Sequence, residues 1–133
     1  MDTHQTHVLW AEDNAKDRML ITESIDGRGT GPHLDLVADG VLLLEALDEA
    51  LPSLVVLDLK MPKLGGLDVL REIRARESWK SLPVTIFTSG NRPSEINECL
   101  ALGVRDVVEK PVDFDLFSAA VQRILDSANP SLS

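Results

Sequence analysis

This chain predicts an α/β fold, a doubly wound parallel sheet of five strands with five helices. Two observations point there. Five short runs rich in aliphatic and β-branched residues recur along the chain, each followed by a stretch with helical spacing. The third run, Leu54-Val-Val-Leu57, has no polar side and so reads as a strand covered on both faces. A length of 133 residues holds one hydrophobic core and leaves little room for a second. One domain over residues 1–133 is expected, with its core from about 7 to 127 and flexible tails at 1–6 and 128–133.

The first run, His7 to Ala11, ends in Glu12-Asp13-Asn14. Asn14 suits the N-cap of a first helix, and Asp17 three residues on can answer it in a capping box. Met19, Leu20 and Ile25 are predicted to face inward from that helix, which the Gly-rich segment 26–32 ends. Leu34 to Ala38 alternates apolar with polar as a strand nearer the sheet edge does. Asp39-Gly40 turns into an apolar helix over Val41 to Leu51. The third strand stops abruptly at Asp58, shortly before Pro62. After Gly65-Gly66, amphipathic spacing predicts a helix with Leu67, Val69, Leu70 and Ile73 inward.

Leu82 to Thr88 is a fourth strand ending in hydroxyls, Thr88-Ser89. A helix runs from Pro93, well placed in a first turn, to about Leu102, with Gly103 at its stop. Val104 to Val108 is the fifth strand, ending at Glu109-Lys110-Pro111. A last helix over Asp113 to Ser127 turns Phe114, Phe117, Val121 and Leu125 inward. Right-handed crossovers put these helices on both faces, and the expected strand order is the flavodoxin-like 2-1-3-4-5.

Composition narrows the function. No apolar run approaches the roughly 20 residues of a membrane helix, and a net charge of −9 argues against binding nucleic acid directly. The N-terminus lacks the pattern of a secretory signal, and the lone Cys99 fits a reducing cytoplasm. Another protein is the expected partner.

In open α/β sheets, ligands sit beyond the carboxyl ends of the strands. Strands 1, 3, 4 and 5 deliver Glu12 and Asp13, Asp58, Thr88 and Lys110 to that edge. Taken singly, Asp58 reads equally as a turn cap, Glu12-Asp13-Asn14 as a helix start, and Lys110 as a solvated lysine. Taken together, crowded carboxylates call for a cation. Mg2+, a hard ion that keeps several waters, suits Asp13 and Asp58 with Glu12 acting through water. Zinc is not expected, because Cys99 lies on a helix and His4, His7 and His33 are not spaced with the acids. Metal, lysine and hydroxyl around a carboxylate are the equipment for holding a phosphoryl group on Asp58.

With these residues in view, the chain resembles the receiver domains of two-component response regulators from about His7 to Leu125. Glu12-Asp13 matches the acidic pair, Asp58-Leu-Lys-Met-Pro62 with Gly66 the phosphoacceptor motif, Thr88-Ser89 the switch hydroxyl, and Lys110-Pro111 the lysine followed by a cis peptide. The resemblance implies a single-domain signalling protein, not a conventional enzyme, in which Asp58 accepts a phosphoryl group from the phosphohistidine of a sensor kinase. It further implies that Lys60 offers its backbone carbonyl to Mg2+ and that Ser89 gives an N–H to the phosphate. Lys110 to Phe117 and Glu77 to Pro83 are similar to regulators that serve bacterial phytochromes. One position departs from the pattern, since Val107 stands where receivers carry an aromatic.

Rival readings fit less well. A flavodoxin-type FMN site wants a hydroxyl- and glycine-rich first loop in place of Glu12-Asp13, and a haloacid-dehalogenase-like phosphatase wants an acid where Lys60 stands. A pseudo-receiver that binds without phosphorylation is the remaining alternative. Small apolar residues, Ala101, Leu102, Val104, Ala119 and Ala120, suggest homodimer or kinase docking through the last two helices and the fifth strand.

Overall fold

The computed structural model describes residues 6–25, 31–90 and 92–128, so the expectations for the tails, for residues 26–30 and for Asn91 lie outside the described residues. The elements are β1 (His7–Ala11), α1 (Ala15–Ile25), β2 (His33–Val37), α2 (Gly40–Glu49), β3 (Leu54–Leu57), α3 (Gly66–Ala75), β4 (Val84–Thr88), α4 (Pro93–Ala101), β5 (Asp106–Glu109) and α5 (Phe114–Ser127). The strands form one sheet in the order β2-β1-β3-β4-β5, and every pairing is parallel.

The alternation of side chains along each strand divides the core in two. On one face Leu9, Ala11, Val55, Leu57 and Ile86 pack with α2, with Val69, Leu70 and Ile73 of α3, and with Cys99 of α4. On the other, Val8, Trp10, Val56 and Phe87 pack with Ile21 of α1 and Phe117, Val121 and Leu125 of α5. Trp10 meets Phe87 edge-on at 5.6 Å between ring centroids, and Phe87 meets Phe117 at 5.3 Å. Cys99 is completely buried.

Several boundaries and faces differ from expectation for identifiable reasons. β4 begins at Val84, because Leu82 is still engaged in the turn after α3 through its N–H to the Trp79 carbonyl and Pro83 has no N–H. β5 begins at Asp106: Gly103, at φ 76°, ends α4, and the Val104 N–H is used to close that helix on the Cys99 carbonyl. Met19 faces solvent and Ile21 takes the core position, with Leu20 and Ile25 only partly covered. Phe114, also expected inward, is exposed at the first position of α5, and Phe117 one turn later is the buried ring. Of the small residues grouped as a docking face, Ala120 is buried and Leu102 and Val104 are half-buried.

Candidate functional site at the carboxyl edge of the sheet

Register brings the site together. Ala11 pairs with Leu57 and Leu57 with Ile86, so Glu12 and Asp58 leave adjacent strands side by side and Thr88 stands next to them. Thr88 in turn pairs with Glu109, and the Lys110 N–H continues the ladder to the Thr88 carbonyl at 2.9 Å. Thr88 is thus the last residue of its strand, and Glu12, Asp58 and Lys110 each follow directly on the last residue of theirs, so the core dictates where all four stand.

Asp58 is 4% exposed and is held from three directions. The Thr88 hydroxyl donates to its Oδ1 at 2.8 Å, the Lys60 backbone N–H donates to the same oxygen at 3.0 Å, and Lys110 Nζ donates to Oδ2 at 2.6 Å. Lys110 also lies 2.8 Å from Glu12 Oε1 and 2.8 Å from Asp17 Oδ2. The Glu12 contact is an ion pair whose direction leaves that buried oxygen without a hydrogen bond. Burial by itself would lower the pKa of the ammonium, but the carboxylates of Asp17, Asp58 and Glu12 outweigh it and raise the pKa above the ordinary lysine value. Glu12 shows the opposite balance: burial pushes it up to about 7, against the pull of Lys110.

One ligand oxygen each from Glu12, Asp13 and Asp58 lies within 4.8 Å of the others. An all-carboxylate cluster on which a single lysine is spent fits a hard divalent cation, and these three residues could hold one. The acidic pair is itself anchored, since the Arg18 guanidinium on α1 donates to the carbonyls of Glu12 at 2.9 Å and Asp13 at 2.8 Å.

Ser89 and Lys60 stand exposed on the loops that flank Asp58. Gly66 lets α3 begin against the backbone of Asp58, where an added Cβ would fall 2.2 Å from the Asp58 carbonyl oxygen. A Cβ on Gly90, whose φ is 83°, would fall 2.7 Å from Lys60 Nζ, so the lysine arches across to the loop after β4. Val107 is half-buried, paired with Ile86 and packed on the larger core cluster.

Two expectations are corrected. The Lys110–Pro111 bond is trans, as no cis peptide occurs among the described residues. A trans bond is favoured for X-Pro, and here it already brings the ammonium to Asp58. Asp17 forms only half of the expected capping box. Its N–H donates to Asn14 Oδ1 at 3.0 Å, but its carboxylate turns to Lys110. Asp17 and Arg18 were not legible as site residues, because both read as ordinary first-turn helix residues.

The family model for the response regulator receiver domain matches residues 8–122. The chain belongs to this family. Among curated relatives, the two-component response regulator ORR11 of Oryza sativa subsp. indica is 32% identical over 120 residues, covering 90% of this chain and 80% of the relative. A probable methanogenesis regulatory protein, FilR2 of Methanothrix harundinacea (strain 6Ac), is 28% identical over 88% of this chain and 79% of its own. Among solved structures, the bacteriophytochrome response regulator RtBRR matches with a TM-score of 0.74 and 30% identity over 90% of this chain and 77% of that one. The phosphorylated cyanobacterial phytochrome response regulator RcpA shares the fold, with a TM-score of 0.88 at 23% identity over 98% of both chains. The Mn2+-bound form of response regulator Rcp1 gives a TM-score of 0.82 at 25% identity, over 90% of this chain and 91% of that one. As a receiver domain the chain is a two-component signalling module, and no helix among its described residues is long and apolar enough to cross a membrane.

Proposed function

We propose that this receiver accepts a phosphoryl group on Asp58 from the phosphohistidine of a sensor kinase and signals in the cytoplasm by docking to another protein. The observation that carries the reading is the buried Asp58 carboxylate gripped at once by Thr88 at 2.8 Å and Lys110 at 2.6 Å. An Asp58 oxygen attacks phosphorus, the N–P bond of the donor breaks with its electron pair returning to the imidazole, and an acyl phosphate forms. Lys110 and the Thr88 hydroxyl, which in the free protein hold carboxylate oxygens, then hold phosphoryl oxygens, joined by the Ser89 N–H. Glu12, Asp13, Asp58 and the Lys60 carbonyl would hold Mg2+, which when bound neutralises charge on the phosphoryl oxygens.

The kinase, by likeness to RtBRR, is of the bacteriophytochrome kind. Docking, to the kinase or to a second copy, uses α4, β5 and α5. The large apolar side chains exposed there, on α4, on α5 and in the segment that joins β5 to α5, are Leu100, Val112, Phe114 and Leu116.

Incubation with acetyl phosphate and Mg2+ followed by intact mass measurement tests the reading. One phosphoryl group per chain is expected for the wild type and none for Asp58→Asn, with Asp13→Ala losing most of the Mg2+ affinity in a titration. Undiminished labelling of Asp58→Asn would displace the site, and an unlabelled wild type would favour the pseudo-receiver.

A further inference from the structure

A second group of ligand-type side chains lies at the opposite end of the sheet. His7 opens β1, His33 opens β2, and the two are register partners, so their side chains leave neighbouring strands on the same face. Asp35, two residues along β2, shares that face. His7 Nε2 is 2.8 Å from Asp35 Oδ2, and His33 Nε2 is 3.2 Å from Oδ1. The imidazole centroids are 5.4 Å apart, and one ligand atom from each of the three residues lies within 4.8 Å of the others. The side chains of His7, His33 and Asp35 are 24%, 56% and 50% exposed, which leaves the cluster open to a hydrated ion.

We propose that His7, His33 and Asp35 bind a borderline divalent transition-metal ion, Zn2+ foremost, which clips the edge strand β2 to β1. Two imidazoles with one carboxylate are a donor set that suits such ions, whereas Mg2+ prefers oxygen alone. Around zinc, with ligands at about 2.0–2.1 Å in a tetrahedron, neighbouring donor atoms stand about 3.3 Å apart. The observed nitrogen-to-oxygen separations of 2.8 and 3.2 Å run to the two different oxygens of Asp35, and with one ligand atom from each residue within 4.8 Å of the others the set closes by at most about 1.5 Å to reach that spacing. Without metal, each Nε2–H can donate to the shared carboxylate. To bind zinc, each neutral imidazole takes the tautomer that carries its one proton on Nδ1, which frees the Nε2 lone pair for the metal, and water completes the shell.

The ligands are also held in place beforehand. His7 is tied on both sides, its carbonyl accepting at 2.7 Å the N–H of Ser53, which directly precedes β3, while its residue pairs with His33. The cluster is separate from the acidic site, because the length of β1, roughly 16 Å for five residues at 3.3 Å each, lies between His7 and Glu12.

Calorimetric titration of tag-free protein with ZnCl2, combined with long-range 1H–15N spectra of the imidazoles, tests the proposal. One zinc per chain is expected at this site, with the Nε2 resonances of both His7 and His33 shifting on saturation and remaining unmoved by Mg2+. Losing even an outer partner of a metal ligand costs 10–100-fold in affinity, so His33→Gln and Asp35→Asn should each weaken binding at least tenfold. Asp115→Asn, on α5 and outside both clusters, should leave this binding as it is. Unchanged zinc affinity in His33→Gln and Asp35→Asn would overturn the proposal, as would imidazole resonances of His7 and His33 that ignore zinc. The wild-type spectra decide the matter even if a variant fails to fold.

Discussion

Lys110 is the residue on which the site's electrostatics turn. One ammonium, 7% exposed, faces Glu12, Asp17 and Asp58, so three carboxylates lean on a single buried charge. Removing one partner of a buried ion pair strands the others and typically costs about 3–5 kcal/mol. Lys110→Met is expected to destabilise the metal-free protein by about 3 kcal/mol at pH 8, read by urea denaturation. The loss should shrink at pH 5. Glu12, pushed up to about 7 by burial, holds its proton more tightly folded than unfolded, so below that value it is neutral and asks nothing of the lysine. A loss that is equal or larger at pH 5 would contradict this assignment of charge.

At the scale of the elements, the contact between β3 and α3 is the tightest constraint. Gly66 starts α3 where a Cβ would sit 2.2 Å from the Asp58 carbonyl oxygen, so Gly66→Ala must push the helix away from the loop that carries Asp58. A cost of about 2–3 kcal/mol in urea denaturation is expected, in the range of overpacked cores, together with slower labelling by acetyl phosphate.

The connection from β4 to α4 is the other element with a prediction. Where receivers carry an aromatic, Val107 is short and β-branched, and it sits half-buried in register with Ile86. It has no long swing. The change between free and phosphorylated states is therefore expected in residues 88–96, where Thr88 leaves the Asp58 carboxylate for the phosphoryl group and Gly90 eases the backbone. Amide hydrogen exchange with and without beryllium fluoride should show altered protection there and little at Val107. The reverse pattern would rule this switch out.

For the molecule as a whole, the large apolar side chains left in solvent on α4, α5 and the segment between β5 and α5 are Leu100, Val112, Phe114 and Leu116. Light scattering of the free and beryllium fluoride-treated protein is expected to show a dimer, more of it in the treated form. Leu116→Glu should return it to monomer. A strict monomer in both states would remove self-association from the proposal and leave kinase docking as the use of this face.

The strands and helices were legible in the sequence because each depends on short-range pattern, and the strand order and the convergence of Glu12, Asp13, Asp58, Thr88 and Lys110 followed from the fold class those elements imply. Apolar runs make strands, caps and glycines bound helices, and parallel topology sends every strand end to one edge. What depends on geometry across elements was not legible. That Asp17 answers Lys110 rather than its own N-cap, that Arg18 pins the acidic pair, and that Phe117 rather than Phe114 is buried follow from where α1 and α5 lie against the sheet. The trans Lys110–Pro111 bond likewise comes only from the structure, since an X-Pro sequence allows either isomer. The meeting of His7, His33 and Asp35 shows the physical reason most directly. The two histidines are 26 positions apart along the chain, with no local spacing to connect them, and become neighbours only through the register of two parallel strands.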